Sequence, residues 1–251
     1  MFFHFTLVLW SLSYLLSLEL LALNPVLTDW SGYGFSLLFV SAIALLAVYR
    51  TTKKMTGVPI PLLFSLATPT LLFLIDNKTN QHIFVFISSI AFYSLLLGLY
   101  RLRFAPTDET ARAFMHAGGI ASLFLFYAAC YGLYLNFDIA LWMLMITFCV
   151  STFGVAYQMF RVVDGNAEKE MKVAAAFLAL VMAEAAWVAS MWPFGYLTVA
   201  ALLTIVFFFP WEGLIFSFTG RFKERTIFLR ALSLLSLATL LLLSSPWRML
   251  V

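Results

Sequence analysis

The chain has 251 residues, 63% of them hydrophobic and 11% charged, with a mean hydropathy of +0.98 and a formal net charge of +3. Soluble domains carry about 45–50% apolar and about 25% charged residues. This balance therefore excludes a soluble globular fold, a disordered chain, a nucleic-acid-binding domain and a disulfide scaffold. What remains is an all-α polytopic membrane protein, one transmembrane helical domain over 1–251 with no soluble domain and the lipid bilayer as its solvent.

A membrane-crossing helix needs ~20 mainly apolar residues. Nine segments read this way: 2–23, 33–50, 58–75, 83–100, 113–135, 139–160, 173–192, 195–218 and 227–245. The first starts without Lys or Arg, its apolar run is long and no A-x-A site follows, so it reads as a span rather than a signal peptide. The third carries Pro59, Pro61 and Pro69, and Pro69 is expected to kink it. Asn77–Lys78–Thr79 has the form of a glycosylation sequon and reads as a polar turn. Thr107 is expected to cap the fifth helix, with Asp108 and Glu109 in its first turn. Asp164–Gly165–Asn166 reads as a turn in which Asn166 caps the seventh, and Met191–Trp192–Pro193–Phe194–Gly195 as a tight reversal. The eighth span is expected to bend or end at Pro210.

The basic residues set an expected orientation. All 15 Lys and Arg except Lys78 and Arg248 fall in alternate connections or at the helix ends beside them. These are Arg50, Lys53 and Lys54; Arg101, Arg103 and Arg112; Arg161, Lys169 and Lys172; and Arg221, Lys223, Arg225 and Arg230. On this reading the amino terminus is cytoplasmic and the carboxyl terminus external. Trp30, Tyr33, Tyr134, Trp142, Trp192, Tyr196 and Trp247 mark the outer interface; Tyr49, Tyr100, Tyr157 and Trp211 mark the inner one. Short loops with inward positive charge suit a prokaryotic plasma membrane.

Ionisable residues within spans are costly and so become candidates for function. Glu19 and Glu184 lie toward the expected outer side. Glu212, His116 and Arg230 form an inner layer at similar depth. Glu184 is the most deeply placed acid. Beside it Ala175, Ala179, Ala183, Ala186 and Ser190 recur at helical spacing, a small-residue stripe that lets another helix approach closely. Gly118, Gly119 and Ser122 carry a second helix-packing signal. Cys130 and Cys149 sit in apolar runs and read as small core side chains.

The sequence contains no phosphate-binding glycine loop, no G-x-S-x-G and no H-E-x-x-H, and His4, His82 and His116 are scattered. No catalytic residue, metal or cofactor is assigned, and no nucleic-acid partner. Three functions follow in order of support. The first is a non-catalytic subunit or scaffold among other membrane subunits. The second is a small-molecule or proton-coupled permease using Glu184, with Glu19 as its companion. The third is a lipid-modifying enzyme built on Glu212, His116 and Arg230.

Overall fold

The computed structural model describes residues 2–24, 30–53, 57–163, 168–219 and 224–244. Every regular element among these residues is helical: α1 (Phe2–Leu23), α2 (Trp30–Thr52), α3 (Pro59–Leu74), α4 (Lys78–Phe104), α5 (Glu109–Asn136), α6 (Leu141–Val163), α7 (Glu168–Ala189), α8 (Tyr196–Thr219) and α9 (Glu224–Ser244). Seven of them, α1, α2 and α4 to α8, are long and apolar enough to cross a bilayer. Two shorter apolar helices accompany them, α3 and the stretch Leu232–Ser244 of α9. The outward faces suit hydrocarbon: α1 exposes Phe5, Leu9, Leu12, Leu16 and Leu20, and α2 exposes Phe35 and Leu38. An apolar surface this continuous is foreign to water-soluble monomers.

Two compact units carry the contacts, Met1–Ala129 and Cys130–Val251. In the first, α3 packs against α1, α2 and α4. Pro59 and Pro61 open α3, where a missing N–H costs nothing because the first turn has no partners for it. Pro69 lies inside the helix and leaves the Ser65 carbonyl without its usual donor. Hydroxyl side chains reinforce the turns on either side: Ser65 donates to the Leu62 carbonyl at 2.8 Å, Thr68 to Phe64 at 3.1 Å and Thr70 to Leu66 at 2.8 Å.

The same hydroxyls tie α3 to its neighbours. Thr68 spends its proton on Phe64, so the Tyr14 hydroxyl donates to Thr68 Oγ1, at 2.5 Å. By the same count Tyr33 donates to Thr70 at 2.8 Å. Ser11 joins α1 to the Ser89 carbonyl of α4 at 3.1 Å. The fully buried Tyr14 ring stacks on Phe92 at 4.1 Å between centroids. Glycine admits α5 to α4: a Cβ on Gly118 would run into Leu95, and one on Gly98 would lie 3.1 Å from Phe114 Cβ. Buried Ser122 donates back to the Gly118 carbonyl at 2.7 Å, and Gly119 is buried beside it.

Two helix starts in this unit, those of α4 and α5, are capped by side chains. The Asn77 side chain accepts from the Thr79 N–H at 2.9 Å, which starts α4 five residues before the apolar run at 83. At α5 the cap is Asp108, not the expected Thr107. Asp108 Oδ1 accepts from the backbone of Thr110 at 3.0 Å and of Ala111 at 3.3 Å. The reason is a second partner: Asp108 also meets Arg101 at 2.7 Å, which holds the carboxylate over the helix start. Arg103 donates to the Thr51 carbonyl at 2.9 Å, and Lys53 closes α2 in a left-handed conformation, φ 53°.

In the second unit, α6 and α7 form the principal pair, with α8 against α7 and α9 against α8. The alanines of the α7 stripe are turned inward. Ala175, Ala179, Ala183 and Ala186 are buried with Met171, Leu178 and Met182, while Ser190 is half-buried in the turn after the helix. Tyr131 sets its ring edge against Phe148 and donates its hydroxyl to the Ala186 carbonyl. Bonds from Ser190, Met191 and Trp192 back to Ala186, Val188 and Ala189 make the reversal into α8. The helix α8 does not end at Pro210 but continues to Thr219. The expected 164–166 turn lies outside the described residues.

Candidate functional site

Glu184 has an unusual position. It lies in the last third of α7, five residues before the helix ends at Ala189, and is exposed, on the face opposite the buried alanines. Exposed with it are Val173, Phe177, Leu180 and Trp187, all large and apolar. Its carboxyl makes no hydrogen bond or ion pair with any described residue. The alanine stripe and the acid beside it in sequence thus lie on different faces.

Other exposed polar groups along the helices behave differently. Ser13, Ser94, Thr147, Ser236 and Thr239 each donate to a carbonyl three or four residues earlier in their own helix. A hydroxyl can hide its polarity this way. A glutamate side chain has no comparable local donor, because the N–H groups of its own helix interior are already taken.

Glu19 pairs with a histidine. Its Oε1 lies 2.6 Å from His82 Nδ1, joining α1 to the start of α4, and both side chains are partly exposed. Sequence reasoning missed His82. The signal was present, since Glu19 is placed near the outer end of the first span and His82 directly precedes the apolar run at 83. Near this pair along the chain, Tyr33, Ser36, Pro69, Asp76, Lys78 and Gln81 line a cavity of about 160 Å³. Gln81 donates to the Ile75 carbonyl at 2.6 Å, which fixes the exit of α3.

The residues of the expected inner layer fall in different units. Glu212 is buried beside buried Trp211 in α8. His116 is half-buried in α5, in the first unit. The Arg230 and Arg225 side chains lie outside the described residues. The free thiols Cys130 and Cys149 are half-buried. Among the described residues, no three His, Cys, Asp or Glu side chains gather in a way that would hold a metal ion.

Comparison with protein families, with characterised proteins and with solved structures finds no match to this chain.

Proposed function

We propose that the protein is a non-catalytic helical subunit of a plasma-membrane assembly, with the outward face of α7 as its joining surface. One observation carries this reading: Glu184 stands exposed among the large apolar side chains of the outward face of α7, without a partner among the described residues. A carboxyl left in hydrocarbon loses the hydrogen bonds that water gave it, at a cost of several kcal/mol, about 2–7 for a polar group. A polar group from another chain restores them. The topology that accompanies this reading has nine crossings, a cytoplasmic amino terminus and an external carboxyl terminus.

Extraction into nanodiscs that retain native lipid, followed by native mass measurement, tests the proposal. The expected particle is heavier than one 28.3 kDa chain, and Glu184→Arg returns it to single-chain mass. A wild-type particle holding one chain alone overturns the reading.

A second reading, a proton-coupled permease, is favoured by the Glu19–His82 pair and by a cavity nearby along the chain that Asp76, Lys78 and Gln81 help to line. Its centre is Glu19 rather than Glu184. Reconstituted protein is expected to pass protons or a small solute down a pH gradient, and Glu19→Gln is expected to stop that flux while leaving the particle mass unchanged. Flux unaltered by Glu19→Gln rejects it.

A further inference from the structure

Five of the exposed residues of α7 keep a regular rhythm. Val173, Phe177, Leu180, Glu184 and Trp187 are separated by four, three, four and three residues. This alternation is the seam of a left-handed helix pair, in which such residues meet a facing helix knob into hole. Phe177 and Glu184 take one of the two seam positions, and Val173, Leu180 and Trp187 the other. Ala176, exposed beside the seam, leaves room for a second backbone.

We propose that this seam pairs with the same seam of a second copy of the chain, so that two Glu184 carboxyls hydrogen-bond to each other across a two-fold axis. The proposal rests on the subunit reading above and names its partner. Two arguments favour a second copy.

The first is geometric. Copies inserted in one membrane share one orientation, so a two-fold axis between them runs along the membrane normal. Helix α7 then meets α7 in parallel, with identical residues at identical depth, and a two-fold contact is self-complementary. A parallel pair is also the arrangement in which residues of one seam position face their own counterparts, which brings Glu184 to Glu184.

The second argument is chemical. A neutral carboxyl is both donor and acceptor. Two of them satisfy each other, and no further polar residue is required. A single polar residue in an otherwise apolar seam also sets the register and the number of chains.

Cysteine cross-linking in native membranes tests this. The background carries Cys130→Ala and Cys149→Ala, and single cysteines are placed at Leu180 or Trp187 in the seam. Controls at Val150 of α6 and Phe209 of α8 are equally exposed but lie on other helices. On mild oxidation, Leu180→Cys and Trp187→Cys are expected to yield covalent dimers of the chain, and Val150→Cys and Phe209→Cys are not. In the native sequence, Glu184→Gln keeps a donor and an acceptor and is expected to retain the dimer. Glu184→Leu is expected to weaken it about three- to thirty-fold, the range of one interhelical hydrogen bond in a membrane.

Equal cross-linking at all four sites, or none at the seam, overturns the proposal. Seam cysteines that cross-link only to a different protein, in a particle heavier than one chain, overturn the second copy and leave the subunit reading standing. A single-chain particle overturns both. Folding of each variant is checked by its helical circular dichroism and a single sharp peak in size exclusion, so a misfolded variant is replaced by its neighbour in the seam, Phe177→Cys.

Discussion

The contacts around α3 and the α6–α7 pair solve one problem in two ways. Lipid tails are as apolar as leucine, so burying apolar surface gives helices in a bilayer little reason to associate. Around α3 the answer is hydroxyls: Tyr14 to Thr68, Tyr33 to Thr70 and Ser11 to Ser89 each cross from one helix to another. Between α6 and α7 the answer is closeness. Alanines at 175, 179, 183 and 186 bring backbones together, and dispersion over many short contacts replaces discrete bonds. The difference shows what each region tolerates. A hydroxyl contact can be deleted without changing shape, whereas an alanine contact is most easily ruined by adding volume.

The largest expected effect tests closeness. Ala179→Leu inserts three heavy atoms where α7 is fully buried, and is expected to destabilise the protein by about 1–3 kcal/mol. Unfolding in mixed micelles measures it, with the exposed Val150→Ala as a control that stays within about 0.5 kcal/mol. A next, smaller effect tests the hydroxyls. Tyr14→Phe and Thr68→Val are expected to show a coupling of about 0.6–1.7 kcal/mol in a double-mutant cycle. Additive effects would mean that the ring stack on Phe92, not the bond, holds α1 in place.

Tyr131→Phe should cost less, about 0.6 kcal/mol, because its acceptor, the Ala186 carbonyl, keeps the Ser190 N–H at 3.1 Å. A loss as large as that of Ala179→Leu would show that the second unit also depends on a discrete bond. Smallest of all is Ser11→Ala. The bond to Ser89 is only part-buried, and a change of about 0.5 kcal/mol or less is expected from the same unfolding experiment.

The helices were legible in the sequence because hydropathy records them directly. Each of the nine helices among the described residues overlaps one of the nine apolar segments. Their ends were less legible where charged and apolar residues alternate. Helix α7 starts at Glu168, well before the apolar run at 173, and the cap of α5 fell to Asp108 because Arg101, a residue of another helix, holds it there.

The candidate site was half legible. Depth along the membrane follows from position in a span, and on that scale Glu184 stood out. Direction follows from phase. At about 100° per residue, Glu184 lies about 180° round the helix from Ala175, so the alanine stripe and the acid had to face opposite ways. That inference needed one more step along the same residues. The Glu19–His82 pair is different: it joins residues far apart in sequence, and depth gave only a common level, not a common place.

Helix α3 has a consequence for how the chain is made. With 16 residues it is about 24 Å long, shorter than the ~30 Å hydrocarbon layer, and ten of its residues are buried by α1, α2 and α4. Of these three, α4 is synthesised after it. Until α4 is made, α3 therefore has one side uncovered. Arrival of α4 closes that side. The first unit thus has a built-in order of completion: the hydroxyl contacts of α3 to α1 and α2 involve only residues already made, whereas the contact of Phe64 with Phe92 waits for α4.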